Sequence, residues 1–340
     1  MGPIEDSRMI KIYPWQNKQW QRLLEMQQQN RLPHAMLFCG PEGIGLNQFA
    51  QTLAMQLLCL SENVDSESAC GNCKNCQLFI AGTHPDLTVI EPEEAGKQIK
   101  IAQVRELIDY VALKSFSGKL KIAIIEPADA MNRATANALL KTLEEPPSQS
   151  MLFLLSHRPS KLPITIRSRC QRINFKPVFD QTATEWVHNQ SNDSEFPPES
   201  LLRLSGGGPL KALELIEDEQ LQFRHTLLKD LKIISQKGCD PVQIAANWQT
   251  LGIENILAWL MRIILDLIRL KLVRERANLI NLDMKEDLQD LVNSLDLLSL
   301  VRNYDFVLLK YQQSIGPMNY NSLSILEEVV LNWNNPEIAN

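Results

Sequence analysis

Cys39-Gly40-Pro41-Glu42-Gly43-Ile44-Gly45-Leu46-Asn47 follows an apolar run, Ala35-Met36-Leu37-Phe38, and opens a stretch with helical spacing. A strand, a glycine-rich turn and a helix N-terminus in that order make a phosphate-binding loop, whose backbone N–H groups cradle the phosphates. Gly40 and Gly45 stand five apart with Gly43 between them, in the frame such a loop requires. The two positions that carry the chemistry are changed. Leu46 stands where Lys would reach the β- and γ-phosphates, and Asn47 where Ser or Thr would hold Mg²⁺. The stretch specifies a nucleotide-binding type of fold with its nucleotide chemistry expected to be lost. Gly40, Gly43 and Gly45 remain as candidate anion contacts through their backbone N–H groups.

Outward from the loop, apolar strands alternate with amphipathic helices. Upstream, Lys18 to Gln29 reads as a short helix ended by Leu32-Pro33. Downstream, Asn47 to Leu60 places Phe49, Leu53, Leu57 and Leu58 on one helical face. Leu87–Glu91, Lys121–Glu126, Met151–Ser156 and Gln171–Phe175 read as further strands. Between them lie the helical stretches Ile101–Leu113, with Val104, Leu107, Ile108 and Val111 inward, and Asn132–Glu145, stopped by Pro146-Pro147. The pattern predicts an α/β domain with a mostly parallel sheet covered on both faces.

After Pro177 strand signals thin out and helical periodicity takes over. Boundaries are expected near Val178 and Asp218, dividing the chain into 1–177, 178–217 and 218–340. The middle piece is a small helical unit broken at Ser205-Gly206-Gly207-Gly208-Pro209. The last piece is expected to be all-helical, with apolar faces at Leu257, Leu260, Ile264 and Leu267 and at Leu298, Val301, Phe306 and Leu309.

The chain has 340 residues, 44% of them hydrophobic, and a formal net charge of −6, which argues against a dedicated polyanion binder. The longest apolar helical stretch, Ile253 to Leu272, carries Arg262, Asp266 and Arg269 and does not suit a membrane span. Met1–Arg8 has no apolar core and does not read as a signal peptide; Met9 is a candidate native start. A cytoplasmic protein is expected.

Of the seven cysteines, Cys70, Cys73 and Cys76 form C-x-x-C-x-x-C, and Cys59 lies eleven residues before Cys70. Four thiolates suit tetrahedral Zn²⁺, and four protein ligands leave no open position for catalysis, so a structural zinc site is expected. A four-iron cluster needs a further cysteine three residues on, and none stands there. Cys39, Cys170 and Cys239 are isolated and read as packing residues.

Two further segments bear on nucleotide chemistry. The strand Lys121–Ile125 ends in Glu126-Pro127, one carboxylate where a working ATPase carries an acidic pair. Ser168-Arg169-Cys170 lies between the fourth and fifth predicted strands. An arginine there serves either as an ion-pair partner or as a finger supplied in trans to a transferring phosphoryl group.

Taken together, the residues resemble the bacterial replicative clamp loaders, a branch of the AAA+ ATPases. The resemblance rests on Tyr13-Pro14-Trp15, on the cysteine module followed by Gln77-Leu78 and Ala81-Gly82-Thr83-His84-Pro85-Asp86, on the run Ala136 to Pro147 (A-N-A-L-L-K-T-L-E-E-P-P), on Ser168-Arg169-Cys170, and on Leu204 to Leu213. The last third matches only in helical character and in Ser314-Ile315-Gly316. The resemblance implies an AAA+ type domain, a small helical lid and a helical collar domain. The departures at Leu46, Asn47, Glu126-Pro127 and Leu210, the last where motor subunits carry a nucleotide-sensing arginine, point to a non-hydrolysing stator. What it implies for partners is a five-subunit ring with motor (gamma/tau) and delta subunits, acting on a sliding clamp and primer–template DNA. Arg169 would complete a motor neighbour's ATP site, with Ser168 and Cys170 positioning it, and the chain itself would have neither ATPase nor polymerase activity. Competing readings are an active AAA+ ATPase with an unusual loop, and a zinc-ribbon nucleic-acid-binding protein.

Overall fold

Along β1 (Ala35–Cys39) every side chain is buried, and the two-residue period of a strand divides them between two cores. Met36 and Phe38 enter one; Ala35, Leu37 and Cys39 enter the other. The same division holds in β3 (Lys121–Ile125), with Ile122 and Ile124 on one side and Ala123 and Ile125 on the other. Strands buried on both faces belong to a parallel sheet with helices above and below. The computed structural model describes residues 12–61, 68–94, 96–191, 195–216, 220–236, 240–274, 277–315 and 320–334.

Five parallel strands, with β2 (Leu87–Ile90), β4 (Ser150–Ser156) and β5 (Gln171–Asn174) joining β1 and β3, run in the order β2-β3-β4-β1-β5. One face carries α1 (Asn17–Gln28) and α2 (Leu46–Leu58) over an aromatic cluster of Phe38, Phe49, Phe153 and Phe175. The other carries α4 (Ile101–Ala112) and α5 (Arg133–Glu144), which bury Val104, Leu107, Val111, Ala136, Leu139 and Leu143. Asn132 caps α5 by accepting from Thr135 N–H at 2.9 Å. Two short helices were not expected from the sequence: α3 (Lys74–Ile80), capped by Cys73, and α6 (Ile164–Arg167). The edge strand β5 is four residues long and buries only Ile173; Gln171, Arg172 and Asn174 are exposed.

A loop between α4 and β3 is tied down by one buried carboxylate. Asp86 accepts from Phe116 N–H at 2.7 Å, Ser117 N–H at 2.8 Å and Ser115 Oγ at 3.0 Å, and pairs with buried Lys121 at 3.2 Å. Burial raises its pKa, but these donors outweigh burial and hold it well below the usual carboxylate range.

The helices that follow are α7 (Gln181–Gln190), α8 (Pro198–Leu204), α9 (Pro209–Ile216), α10 (Gln220–Ser235), α11 (Pro241–Trp248), α12 (Ile253–Val273), α13 (Lys285–Asn293), α14 (Leu297–Ser314) and α15 (Ser322–Asn334). The chain forms two compact units, Met1–Trp186 with Gly206–Lys211, and Val187–Ser205 with Ala212–Asn340. In the second, α12 packs against α13 and α14, and α15 against α10, α11 and α14. Leu257, Leu260, Ile264 and Leu267 are buried on α12, as their spacing predicts. The face foreseen on α14 is not the buried one. Leu298, Val301 and Leu309 are exposed and Phe306 is half-buried, and the helix buries Leu300, Asn303 and Val307 instead. The buried side of α14 is the one that packs against α12 and α15, and there Asn332 of α15 donates to the buried Asn303 at 2.9 Å. Among the described residues no helix is long and apolar enough to cross a membrane. Cys239 and Gly316 lie outside the described residues.

Candidate functional site

The glycine loop leaves the carboxyl end of β1 and enters α2 through Gly45, whose φ of +84° is left-handed and favours glycine. Gly43 has φ +73° and no room for a side chain: a Cβ there would lie 2.3 Å from Lys211 N. Leu210 N–H donates to Gly43 O at 3.0 Å, and a Cβ on Gly208 would meet Glu42 O at 1.9 Å. The segment Gly206–Lys211 is therefore closed down onto the loop, backbone against backbone. On another side, Trp15 Nε1 donates to Ile44 O at 3.0 Å, and Gln16 Nε2 to Ile44 O and Gly45 O at 2.9 and 2.8 Å. Tyr13 stacks on Trp15 at 4.9 Å, with the Trp186 ring edge-on to both.

Leu46 is buried at 1% exposure, so the lysine position of the loop holds a core side chain. Asn47 turns toward the end of β3. Its side-chain amide donates to Glu126 Oε2, and its Oδ1 accepts from Gln51 at 2.6 Å. Burial raises the Glu126 pKa above its ordinary value, and the Asn47 amide opposes that rise. His157 Nδ1 lies 3.0 Å from Gly40 O, at the end of β4. Glu126 also lines a cavity of about 500 Å³ with Glu91, Lys97, Asp129, Arg158 and Lys161.

The four cysteines of the module come together. Their Sγ atoms all lie within 4.8 Å of one another, with 3.5 Å between Cys59 and Cys70, 4.0 Å between Cys59 and Cys73, and 3.9 Å between Cys70 and Cys76. Ligand bonds of about 2.3 Å in a tetrahedron put sulfurs about 3.8 Å apart, so the set fits one metal ion. Cys59 ends α2, Cys73 caps α3, and Cys76 sits within α3. The sulfurs accept N–H groups: Leu60 and Cys76 donate to Cys73, Cys70 to Cys59, and Cys73 to Cys70, each at 3.4 Å. Backbone donors at Asn72 and Cys73 bring the Cys70 thiol down to about 6, whereas burial pushes Cys76 up. A cation bound by the four sulfurs would supply the charge that lets them ionise together. Cys39 and Cys170 are buried in the second core, apart from this cluster, and burial pushes Cys170 up to about 12.

Arg169 follows α6 and is paired at once. Nε donates to Glu144 Oε1 at 2.8 Å, Nη2 contacts the same oxygen, and Nη1 donates to Thr165 O at 3.1 Å. Ser168 Oγ donates to the same Thr165 carbonyl at 3.2 Å. The structure thus brings together the four cysteines, and Asn47 with Glu126. It gives Arg169 a partner, Glu144, that the sequence reading did not name. Gln16 was also missed; the nearest signal was the adjacent Tyr13-Pro14-Trp15.

A parallel sheet in this strand order, with a glycine loop after β1 and a helical C-terminal region, is the AAA+ type of architecture. The family described as DNA polymerase III, delta subunit matches residues 15–179, and its C-terminal counterpart matches residues 218–335. The chain is 35% identical over 326 residues to DNA polymerase III subunit delta' of Pseudomonas aeruginosa, covering 96% of this chain and 98% of that one. It is 32% identical over 286 residues to subunit delta' of Escherichia coli, covering 84% of each. It is also 39% identical over 153 residues to subunit tau/gamma of Haemophilus influenzae, covering 45% of this chain and 21% of that one. The chain belongs to the clamp-loader delta' subunit family of DNA polymerase III.

Proposed function

We propose that this chain is a stator: a subunit of the bacterial replicative clamp loader that does not hydrolyse ATP and completes a neighbour's site. The carrying observation is the pairing of Asn47 with Glu126 beside a buried Leu46. In P-loop ATPases the corresponding loop hydroxyl and strand carboxylate share Mg²⁺, and the loop lysine reaches the phosphates. Here the two polar groups hold each other, and the lysine position is turned into the core.

Arg169 is then the group that acts on ATP, in trans. An arginine finger neutralises charge on the transferring phosphoryl group and is worth roughly 10³–10⁵ in rate. Ser168, through Thr165 O, and Cys170, anchored in the core, fix the backbone that carries it. The motor (gamma/tau) and delta subunits are the partners, in a five-subunit ring in the cytoplasm. ATP bound by the motors arranges the ring so that delta opens the sliding clamp, and primer–template DNA triggers hydrolysis and closure. Residues 1–177, 178–217 and 218–340 are the AAA+ type domain, the lid and the collar. Cys59, Cys70, Cys73 and Cys76 hold one structural Zn²⁺, which cross-links the end of α2 to α3 when bound.

The test has two arms. The isolated chain is expected to show no ATP turnover above background, and turnover abolished by changing Glu126 would defeat the proposal. In the assembled loader, Arg169→Ala is expected to leave assembly intact and slow ATP turnover; unchanged turnover would remove the finger.

A further inference from the structure

Arg169 has its orientation set by its own chain. A guanidinium carries five N–H donors in a fixed fork. Nε and one donor of Nη2 go to Glu144 Oε1, and one donor of Nη1 goes to Thr165 O. Two donors remain, one on each terminal nitrogen, and guanidinium donors match the oxygens of a phosphate. The side chain is about one-third exposed and Glu144 half exposed, so the free end of the fork is open to a group arriving from outside.

The position of Glu144 is unusual for a carboxylate. It is the last residue of α5, where the helix carries unsatisfied carbonyls and disfavours negative charge. A cation held against it offsets that cost. Glu144 thus sits where its own helix disfavours it, and Arg169 supplies the compensation.

We propose that Glu144 is the positioning residue of Arg169. It restrains the rotamers of a long, flexible side chain and leaves the terminal N–H pair aimed outward, toward a triphosphate bound by a neighbouring subunit. Alignment paid for before the encounter is not paid for in the transition state. This rests on the reading of Arg169 as a finger in trans, and the experiment separates the two.

ATP turnover is measured in the fully assembled loader, with primed DNA and clamp, for Glu144→Ala, Glu144→Gln, Arg169→Ala and the double change Glu144→Ala/Arg169→Ala. Glu144→Ala is expected to lower kcat on the order of tenfold, with KM for ATP held within about twofold, because a group acting late in the reaction loses its alignment. Glu144→Gln keeps a neutral acceptor oxygen and is expected to recover part of that loss; it also decides the matter if the alanine chain does not assemble. The double change is expected to equal Arg169→Ala alone, since Glu144 acts through Arg169. Glu144→Ala at wild-type kcat beside a slow Arg169→Ala overturns the positioning role while leaving the finger. A double variant slower than Arg169→Ala, or a loss confined to KM, overturns it as well. Wild-type turnover by Arg169→Ala removes the finger and this inference with it.

Discussion

The Asn47 side-chain amide donates to the Glu126 carboxylate, joining the first turn of α2 to the end of β3. The contact spans 79 residues of sequence and joins the two positions that in working P-loop enzymes share a cation. Its effect on Glu126 is measurable. Asn47→Ala removes the larger of the two influences that oppose burial, leaving only His157, so the Glu126 carboxyl is expected to titrate still higher than in the wild type. Because the folded pKa is raised, the protonated form suits the fold: the contribution of Glu126 is fully present below its unfolded value of 4.5 and is lost as pH rises through the folded one. The variant is therefore expected to match the wild type at about pH 4 and to be about 1–3 kcal/mol less stable at about pH 7. Denaturation at the two pH values, with carbon NMR of the Glu126 carboxyl, checks this.

Asp86 gives the opposite sign. Its folded pKa is depressed, so its contribution is present above the unfolded value of 3.8 and is lost as pH falls toward the folded one. Asp86→Asn leaves Lys121 buried without its carboxylate and is expected to cost about 3–5 kcal/mol at neutral pH. Acid titration of stability should also flatten below about pH 4 in the variant, where the wild type is losing this contribution.

Elemental analysis is expected to find one zinc per chain in a colourless sample, and a brown sample absorbing in the visible would point to iron–sulfur. Cys76→Ser removes the ligand seated within α3 and is expected to lose the metal and lower the melting temperature. Stripping the wild type with a strong chelator should produce the same shift, and adding zinc back should reverse it with release of protons.

Much of this architecture is legible in the residues. Ala35–Cys39 and Lys121–Ile125 are short apolar runs between breakers, and both are strands buried on two faces. Pro146-Pro147 ends α5 where expected, and the cysteine spacing does bring four thiols together. What escaped is what depends on distant partners. Trp15 and Gln16 find Ile44 and Gly45 across 28 or 29 positions, and nothing local in Gln16 announces it. Leu298, Val301 and Leu309 look like a core stripe, yet α14 turns the side with Leu300, Asn303 and Val307 toward α12 and α15. The ion pair of Arg169 with Glu144 joins two motifs that sequence presents separately.

The closure over the glycine loop can be probed with two glycines close together. Gly208→Ala places a methyl 1.9 Å from Glu42 O, a backbone atom that cannot swing away, and is expected to displace the Gly206–Lys211 segment. Gly206→Ala meets nothing within 4 Å and carries only its φ of +70°, a cost of about 1–2 kcal/mol. Limited proteolysis near Gly206–Lys211 should therefore accelerate strongly for the first and little for the second. Equal rates would mean that the segment does not rest on the loop.

The short, polar β5 has a consequence for how this subunit can meet others. Exposed charge and brevity on an outer strand make it a poor template for another chain's backbone. Gln19 already donates to Asn174 O at 2.9 Å, occupying an acceptor at that margin. At this edge the hydrogen-bonded ladder therefore stops at the molecule's own border.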